Sequence, residues 1–467
     1  MTPRHLLALP FVLLATPVLA QDLTPAETAQ VDAIVSDALA KTGVPSASIA
    51  IVRDGKIVLA KAYGKQSETL KDTSADRPYQ IASISKQFTA AALLLLEDEG
   101  KLSLDDTVSK WLPGISGGDK IKLRQLLSHT SGLQDYWPQD YSFAAMAKAT
   151  TPQGIVDRWA KKPLDFEPGA QWQYSNTAYV VAGMIVEKAA GKPLLAYLQE
   201  KIFKPLGMKA IDQDKAIGPA FPQGYGRYAL GPVRPEKPSA PGWLYAAGEL
   251  SMSAADLAKW DIARINRSLL PGDDWEAQET TVKLTDGTDT RYGLGVFVRN
   301  INGRVGIEHS GEAVGFISEN VVYPKDKAAF VVLTNSWSAG AASQIAGKLA
   351  ATFLPPPAKT ASGDEAQAAT KARVVFDQLR GGTLDRLLLT EDANYYFTPT
   401  AIADYRASLG PLGDPQSFTP RGGGTLRGGF VIRGYVIKYA DRTLNLSTFF
   451  DPATGKIEQF LVTPSGQ

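Results

Sequence analysis

The sequence predicts an α/β (α+β) protein built on an antiparallel sheet that is flanked by helices and carries a helical subdomain, followed by a second, small α+β domain with a curved antiparallel sheet. Three patterns predict this organisation. Strand signals occur at both ends of the segment 25–354, helices and loops fill its middle, and a Pro-rich stretch separates it from a last run of helices and strands.

The first 20 residues have the pattern of a secretory signal peptide. They contain one arginine, an apolar run from Leu6 to Ala15, and small residues at Val18 and Ala20. The apolar run is shorter than the roughly 20 residues that span a bilayer, which disfavours the alternative of a permanent membrane anchor. The sequence therefore predicts cleavage after Ala20 and a secreted protein, located in a bacterial periplasm.

The composition limits the kinds of site that the chain can hold. Its 467 residues include no cysteine, which excludes disulfides, thiolate metal sites, a cysteine nucleophile and a lipid-modified cysteine. The 49 Lys and Arg residues lose one member with the signal peptide and then equal the 48 Asp and Glu residues, so nothing points to nucleic acid or to an anionic membrane. We expect no metal and no cofactor, and a small-molecule, peptide or cell-wall-type substrate as partner.

The main domain begins with a helix and a hairpin. The stretch "PAETAQVDAIVSDALAKTG" spaces Ala, Val and Ile as on a helix that ends at Gly43. Two β-branched runs then surround Asp54-Gly55, a strong hairpin signal. Further helices are expected at 84–99 and 339–353, and strands in "YGLGVFVRNINGRVGIEHSG" and "ENVVYPKDKAAFVVLTN". A single sheet assembled from both ends of the segment is the simplest arrangement.

A linker is predicted at 355–370, where the chain is Pro-rich and then small and polar. Beyond it, the patterns indicate two or three helices and then three or four antiparallel strands. The predicted organisation is therefore a signal peptide at 1–20, a main domain at 25–354, the linker, and an accessory domain at 371–467.

Two familiar serine-nucleophile patterns are poorly supported. The stretch 114–118 matches GxSxG, but its flanks "SKWLP" and "DKIKL" lack the strand and the helix that this turn requires, which favours a surface loop. A Ser-His-Asp triad needs a histidine, and neither His129 nor His309 has a partner that the sequence identifies.

Ser83 and Lys86 lie three residues apart, where an apolar helix is expected to begin. Residues at this spacing share a helix face, so the amine would lie beside the hydroxyl. A lysine among Ala and Leu side chains has its pKa lowered and can take the proton of the serine, while N–H groups at the helix start would face a developing oxyanion. Because the pair arises about once or twice by chance in a chain of this composition, the spacing alone decides little.

Two other groups of polar residues strengthen the pair. Tyr174 and Asn176 precede an apolar helix, where the phenol, held as phenolate by a lysine, would serve as a base and the amide would bind a substrate carbonyl. The alternative is a helix-capping loop. His309 and Gly311 end a strand-like run, where imidazole supplies a hydrogen bond and glycine permits close approach of a ligand. The alternative is a buried structural histidine.

Three motifs in chain order resemble those of the penicillin-recognising serine hydrolases, and most closely the group of class C β-lactamases, DD-peptidases, esterases and D-aminopeptidases: Ser83-x-x-Lys86, Tyr174-x-Asn176 and His309-x-Gly311. The phrases "LLSHTSGL", "FEPGAQWQYSN", "IFKPLGM", "AAGELSMSAADLAKW" and "VVLTN" extend the resemblance over about residues 27–354. The resemblance implies a β-lactamase/transpeptidase-like fold and a hydrolase that cleaves an amide or an ester, including a β-lactam or a D-amino-acid peptide.

The resemblance also implies roles for single residues. Ser83 would be the acylated nucleophile, and Lys86 and Tyr174 would share the general base and acid work. The backbone N–H groups of Ser83 and Glu312 would form the oxyanion hole. No metal or cofactor is called for.

The remaining motif residues are implied to bind substrate. Asn176 would orient the acyl amide, and His309, with Gly311, would hold the substrate or assist the tyrosine electrostatically. Class C β-lactamases usually have Lys-Thr-Gly at the third motif, whereas His-x-Gly resembles the peptidase, D-aminopeptidase and esterase branches. This departure disfavours efficient β-lactam hydrolysis.

Other features leave alternatives open. The aromatic loop "DYWPQDY" (135–141) forms either a wall of the pocket or a packed surface loop, and the same alternatives hold for Tyr228, Trp243 and Tyr245. The accessory domain resembles the cone-shaped modules seen in nuclear transport factor two and would serve as a lid, a dimer contact or a wall-binding module. A non-catalytic or slowly deacylating penicillin-binding or sensor protein is the alternative to an enzyme, although such a protein is expected to lose a base residue.

Overall fold

The computed structural model describes residues 22–139, 141–229, 231–301, 303–337, 340–354, 363–427 and 429–465. The chain divides into two units, Met1–Pro355 and Pro356–Gln467. The expected signal peptide at 1–20 lies outside the described residues. Within them, none of the helices combines the length and the apolar character needed to cross a membrane.

The first unit is organised by a six-stranded antiparallel sheet. The strands of this unit are β1 (Ser46–Arg53), β2 (Lys56–Gly64), β3 (Tyr79–Gln80), β4 (Ala210–Asp212), β5 (Tyr225–Gly226), β6 (Arg234–Pro235), β7 (Leu250–Met252), β8 (Phe297–Ile301), β9 (Arg304–Ala313), β10 (Phe316–Tyr323) and β11 (Ala328–Thr334). The main sheet has the order β2-β1-β11-β10-β9-β8, and β3-β7-β4 and β5-β6 form small sheets. Since β1 pairs with β2 on one side and with β11, from the far end of the unit, on the other, the prediction of a sheet built from both ends is confirmed.

The α-helices described in this unit are α1 (Pro25–Thr42), α2 (Lys86–Asp98), α3 (Val108–Trp111), α4 (Leu123–Leu127), α5 (Pro152–Ile155), α6 (Asn176–Ala190), α7 (Leu194–Leu198), α8 (Tyr245–Gly248), α9 (Ala254–Asn266), α10 (Gly272–Glu279) and α11 (Ala341–Phe353). Most of them lie between β2 and β8 in the chain: α2, α4, α6 and α7 pack on one another in the helical subdomain, whereas α9 packs against β1 and β11 of the main sheet. Only α1 and α11 come from the two ends of the unit, as the sequence predicted.

Both faces of strand β1, the neighbour of the edge strand β2, are buried. Ile49 packs with Val35 of α1 and Ile345 of α11. Its neighbour Ala50 points to the other side, into the larger core that contains Phe88 of α2. Because successive side chains of a strand alternate between faces, a strand covered on both sides is a continuous run of apolar or small residues, as "SASIAIV" is.

Local signals place the first elements where the sequence predicts them. The α1 helix begins with a capping box in which Thr24 and Glu27 exchange hydrogen bonds, and it ends at Gly43, whose φ is +72°. The β1–β2 turn has φ values of +51° at Asp54 and +72° at Gly55, the left-handed pair that a two-residue hairpin requires.

The second unit is an α+β domain with a five-stranded antiparallel sheet. Its elements are α12 (Gly363–Gly381), α13 (Glu391–Tyr396), α14 (Pro399–Leu409), β12 (Ser417–Pro420), β13 (Thr425–Arg427), β14 (Phe430–Lys438), β15 (Thr443–Phe450) and β16 (Ile457–Pro464). The strand order is β12-β14-β15-β16, and β13 pairs with β14. Phe376 of α12 packs in a core with Ile437 and Phe460 of the sheet.

The predicted linker extends too far. Residues 355–362 lie outside the described residues, but α12 begins at Gly363, so 363–370 is helical. Ala368 is buried in the core of the second unit. A small and polar composition indicated a linker, yet Ala, Glu and Gln are also strong helix formers, and burial of one face stabilises the helix.

Gly183 permits the close packing of α6 against α8. A Cβ atom at this position would lie 2.2 Å from the Cβ of Ala246 and 2.9 Å from Cε1 of Tyr245. Gly347 of α11 is a matched contrast, because a Cβ atom there would meet nothing within 4 Å.

We expect Gly183→Ala to lower the free energy of unfolding by about 1–3 kcal/mol, because the added methyl group overpacks the α6–α8 contact. Gly347→Ala should raise it by roughly 0.5–1 kcal/mol, because alanine favours an exposed helix over glycine. Urea denaturation followed by circular dichroism measures both. Equal effects of the two substitutions would contradict the packing role of Gly183.

Candidate active site

Ser83 lies in a strained turn at the start of α2. The turn is a 3₁₀ segment, Ala82–Ser85, and Ala82 has a φ of +47°, an unfavourable value for a residue other than glycine. The preceding Ile81 carbonyl accepts a hydrogen bond of 2.9 Å from Ser318 Oγ on β10. The surrounding sheet therefore holds the turn in a conformation that it would not adopt alone.

The Lys86 amine is fully buried and makes three hydrogen bonds. Nζ lies 2.9 Å from Ser83 Oγ, 2.8 Å from Asn176 Oδ1 and 2.7 Å from the carbonyl oxygen of Ala247. Two of these partners can only accept, whereas the serine hydroxyl can also donate. A neutral amine can donate to both carbonyl oxygens and accept the proton of Ser83, which is the geometry of a general base.

The charge state of Lys86 fits this geometry. Burial lowers its pKa to about 7, and the nearby Asp135 carboxylate opposes part of that effect. The sequence predicted a lowered pKa from Ala and Leu neighbours. The structure adds two aromatic faces, since Nζ lies 4.8 Å from the ring centroid of Tyr174 and 5.4 Å from that of Tyr179.

Tyr174 is within hydrogen-bonding reach of the Ser83 side chain. Burial raises the pKa of its phenol, and the hydrogen bond from Ser83 offsets only part of this. The raised pKa favours a neutral phenol over the phenolate base that the sequence analysis suggested. Desolvation of the buried ring is the main cause, and the nearby Asp135 carboxylate acts in the same direction.

Asn176 is the first residue of α6 and is oriented by Asp135, a residue that the sequence analysis placed only in the aromatic loop. Asp135 accepts from the Asn176 backbone N–H at 2.9 Å and from Nδ2 at 3.3 Å. With Nδ2 on the carboxylate, Oδ1 faces Lys86. Burial raises the pKa of Asp135 above its usual range.

His309 lies beside the site rather than on its surface. It is 2% exposed, its Nε2 lies 3.0 Å from the hydroxyl of Tyr292, and its Nδ1 lies 2.6 Å from the Ser310 carbonyl oxygen. Burial, with the adjacent Lys86, lowers the pKa of His309 to about 3. The imidazole is bonded at both nitrogens and packs near Tyr174, with 6.2 Å between the ring centroids. Because it is buried and both nitrogens have partners in the protein, its position does not support the expected hydrogen bond to substrate.

Gly311 permits a close approach, but to the protein itself. A Cβ atom at this position would lie 2.1 Å from the Ile81 carbonyl oxygen and 2.3 Å from Ser318 Oγ. The sequence analysis expected a ligand to approach here. The structure instead uses this glycine to bring β9 against the turn that carries Ser83.

His129 contacts the segment that carries Tyr174 and so helps to position it, a role that the sequence analysis missed. Its Nδ1 accepts the backbone N–H of Ser175 at 3.1 Å, and its ring centroid lies 4.2 Å from that of Tyr174. Burial lowers its pKa well below the usual value. Only the phrase "LLSHTSGL" pointed to this residue, because its contacts come from a segment more than 40 residues away.

The site opens into a cavity of about 380 Å³. The lining combines the predicted residues with the aromatic loop and comprises Ser83, Asp135, Trp137, Pro138, Gln139, Gln173, Tyr174, Asn176, Leu244 and Glu312. Both residues expected to form the oxyanion hole therefore reach the same cavity, and the aromatic loop forms part of its wall.

Other candidates lie elsewhere. Tyr228 is 83% exposed, and Trp243 is buried among aromatic rings. Neither Trp243 nor Tyr245 belongs to the described lining of the cavity, whereas Leu244, which lies between them in the chain, does. Ser116 follows α3 in a turn where its N–H bonds to the Ala160 carbonyl, without the preceding strand of a nucleophile elbow. Among the described residues, no group of three or more His, Cys, Asp and Glu side chains is placed to hold a metal ion.

Comparison with known proteins identifies a family for most of the first unit. The model of the Beta-lactamase family matches residues 31–352. Penicillin-binding protein 4* of Bacillus subtilis (strain 168) is 28% identical over 299 residues, which are 60% of this chain and 66% of that protein. Protein flp of Staphylococcus aureus (strain MW2) is 31% identical over 321 residues, 66% of this chain and 62% of that protein. The chain thus spans about two thirds or less of these curated relatives.

Solved structures share the fold. A D-stereospecific amidohydrolase from Streptomyces sp. is 29% identical, with a TM-score of 0.60, and the match covers 70% of this chain and 98% of that one. A D-amino acid amidase from Ochrobactrum anthropi SV3 is 26% identical, with a TM-score of 0.60 and the same coverage. An octameric penicillin-binding protein homologue from Pyrococcus abyssi, at 22% identity and a TM-score of 0.63, matches 94% of this chain and 97% of its own, which shows similarity of fold alone.

The family model covers well over half of the chain, and its range contains the Ser-Lys, Tyr-Asn and His-Gly motifs that the fold brings together. The chain therefore belongs to the Beta-lactamase family of penicillin-recognising serine hydrolases.

Proposed function

We propose that this protein is an exported serine hydrolase that cleaves an amide or ester bond through an acyl-enzyme on Ser83. The observation that carries the proposal is the hydrogen bonding of Lys86, whose two carbonyl acceptors leave its third position for the proton of Ser83. The similarity to a D-stereospecific amidohydrolase and a D-amino acid amidase supports an amide of a D-amino acid or a D-amino-acid peptide as the substrate.

Acylation begins when the neutral Lys86 amine takes the Ser83 proton and Oγ attacks the acyl carbon. The backbone N–H groups of Ser83 and Glu312 stabilise the oxyanion. The Tyr174 phenol, within reach of Ser83, passes a proton to the leaving amine or alcohol and recovers one from Lys86. An incoming water then gives a proton to Lys86 by way of the Tyr174 hydroxyl as its oxygen attacks the acyl carbon of the Ser83 ester. Lys86 returns this proton to Ser83 Oγ when the tetrahedral intermediate collapses, which releases the acid and restores the serine hydroxyl.

Asn176 positions the acyl group in this scheme. An amide nitrogen carries two hydrogens, and Asp135 takes one of them. We assign the other to a carbonyl oxygen of the substrate. Asp135 thereby fixes both the acceptor that faces Lys86 and the donor that faces the cavity.

We expect Ser83→Ala to abolish covalent labelling by a fluorophosphonate probe, because the nucleophilic oxygen is lost. Intact-protein mass spectrometry measures the probe adduct. With a substrate ester in place of the probe, the same measurement shows whether the acyl-enzyme persists, as in slow deacylation, or is turned over. Ser116→Ala is the control and should label as the unsubstituted protein does. Labelling that survives in Ser83→Ala and disappears in Ser116→Ala would overturn the assignment.

We expect kcat/KM of an ester substrate to rise with pH through a midpoint near 7, the pKa to which burial lowers Lys86, because only the neutral amine can accept the serine proton. Lys86→Arg should lower kcat/KM by roughly 100-fold or more at all pH values, since a guanidinium does not deprotonate. Lys110→Arg, at an exposed lysine, should change neither quantity. A flat profile from about pH 6 to 10 would contradict Lys86 as the base.

The buried amine should also limit stability. Between about pH 7 and its usual 10.5, the unfolded chain holds the Lys86 proton and the folded chain does not, so the free energy of unfolding rises with pH over this range. We expect Lys86→Met to raise the free energy of unfolding by roughly 1–3 kcal/mol at pH 7, the lost hydrogen bonds offsetting part of the gain, and to lose this advantage near pH 10.

Chemical denaturation at pH 7 and pH 10 measures the effect of Lys86→Met, and Lys110→Met, which removes an exposed amine, is the control with little expected change at either pH. A Lys86→Met protein that is less stable than the unsubstituted protein at pH 7 would show that the hydrogen bonds outweigh the burial of the amine.

A further inference from the structure

Gln87, the residue that follows Lys86, has a buried amide that takes no part in the proton transfers. The residue is 1% exposed. Its Oε1 lies 3.1 Å from Trp260 Nε1 and 3.1 Å from a guanidinium nitrogen of Arg264, both on α9. Its Nε2 lies 3.1 Å from Asn320 Oδ1 on β10. The amide therefore joins the first turn of α2 to α9 and to the main sheet.

The partners of this amide determine its orientation. An indole and a guanidinium can only donate hydrogen bonds, so the atom that both of them contact has to be the amide oxygen. Nε2 of Gln87 then donates to Asn320 Oδ1, and Nδ2 of Asn320 donates to the two carboxylate oxygens of Asp261 at 2.9 and 2.8 Å. Because these assignments start from groups that cannot accept, they hold in either charge state of Asp261, whose pKa burial raises to about 7.

Gln278 of α10 holds the same turn through its backbone. Its Nε2 donates to the Gln87 carbonyl oxygen at 3.0 Å, and its Oε1 accepts from Arg264 at 2.8 Å. Gln278 and Arg264 are both 0% exposed, so no water competes for these bonds. A buried polar group that loses its partner costs more than an exposed one, and the network therefore resists rotation of α2.

The direction of the Lys86 side chain depends on this rotation. Consecutive residues of an α-helix are turned by about 100° around its axis, so the side chains of Lys86 and Gln87 leave α2 in different directions and move together when the helix turns. Lys86 Nζ lies 2.9 Å from Ser83 Oγ. Since a misplacement of about 1 Å can lower a rate roughly 100-fold, the position of α2 bears directly on acylation.

The other end of the network lies on the strand pair that carries the third motif. Asn320 stands opposite His309 in the pairing of β10 with β9. Further along β9 is Glu312, whose backbone N–H is expected in the oxyanion hole. Gln87 thus connects the turn of the nucleophile to the strands that present the oxyanion hole.

We propose that Gln87 is a positioning residue of this hydrolase: its directional hydrogen bonds hold the Ser83–Lys86 turn against β10, so that nucleophile, base and oxyanion hole keep their relative geometry. Gln87 does not belong to the described lining of the active-site cavity, so it acts on the reaction through this turn. The inference rests on the proposed function, because it concerns the acylation step of the same site.

Gln87→Met tests the proposal, because it keeps the length of the side chain and removes all three of its hydrogen bonds. In single-turnover reactions with a p-nitrophenyl ester, we expect the acylation rate constant to fall roughly 10- to 100-fold. The Kd of the ester should change by less than about threefold, because the residues that line the cavity are unchanged. Fluorophosphonate labelling followed to completion counts the competent molecules, which separates slow acylation from loss of folded protein.

Gln213→Met is the matched control. Gln213 is 3% exposed, lies in the same unit and donates from Nε2 to Asp214 Oδ1 at 3.2 Å. The same replacement there should leave the acylation rate constant unchanged. Trp260→Phe is a milder variant that removes one donor to Gln87 Oε1 and keeps an aromatic ring, and it should lower the constant by roughly two- to tenfold. It carries the test if Gln87→Met does not fold.

Kinetic outcomes separate this inference from the proposed function. An acylation rate constant that Gln87→Met leaves unchanged, an equal loss in Gln213→Met, or a loss that appears in Kd instead would overturn the positioning role. An unsubstituted protein that releases no p-nitrophenol and takes up no fluorophosphonate would count against the proposed hydrolase.

Crystal structures test the positioning role without reference to activity. In Gln87→Met we expect the distance from Lys86 Nζ to Ser83 Oγ to lengthen beyond hydrogen-bonding reach, whereas Gln213→Met should keep the hydrogen bond of 2.9 Å. An unchanged distance in Gln87→Met would overturn the proposal.

Discussion

The site depends on one buried amine. Lys86 Nζ joins three segments that lie far apart in the chain, because its hydrogen bonds reach Asn176, 90 residues away, and Ala247, 161 residues away. The same contacts that fix these segments also use two of the nitrogen's hydrogens on oxygens that can only accept, and so direct its remaining position to Ser83. Burial of Lys86 therefore has two effects. It allows the amine to hydrogen-bond to all three segments, and it lowers the pKa so that the amine can act as a base.

Close backbone packing makes this burial possible. Glycines from three separate segments approach the turn that carries Ser83 and Lys86. A Cβ atom placed on Gly248 would lie 3.3 Å from the carbonyl carbon of Ala82, and one placed on Gly295 would lie 2.8 Å from the Lys86 carbonyl oxygen. A Cβ atom placed on Gly311 would lie 2.1 Å from the Ile81 carbonyl oxygen. The distances at Gly295 and Gly311 exclude a side chain unless the backbone moves. The His-x-Gly motif thus contributes through the absence of a Cβ as much as through its histidine, and the strained φ of Ala82 is maintained by this packing.

Local sequence patterns predicted the main elements of the fold and the Ser83–Lys86 pair of the site. The first helix, its hairpin and the sheet assembled from both ends follow from capping, turn and alternation signals that act over a few residues, and Ser83 and Lys86 are neighbours on one turn. The supporting residues were not found, because Asp135 and His129 act on the Tyr174 segment through contacts across about 40 residues that no local pattern encodes. The lowered pKa of Lys86 was predicted from its apolar neighbours, but the raised pKa of Tyr174 was not, because it depends on burial by distant segments. The end of the linker was misplaced because Ala-rich polar segments suit a linker and a helix equally.

The surroundings of Lys86 also explain how a buried cation can exist for part of a catalytic cycle. When the amine takes the serine proton it becomes an ammonium, and the two imidazoles near it favour the uncharged form, because burial lowers the pKa of His129 and of His309. The carbonyl oxygens already bonded to it, the ring faces of Tyr174 and Tyr179 and the charge of Asp135 all favour that ammonium. Burial lowers the pKa of the amine to about 7 while the charge of Asp135 opposes part of that effect, so proton uptake and release are nearly balanced at neutral pH.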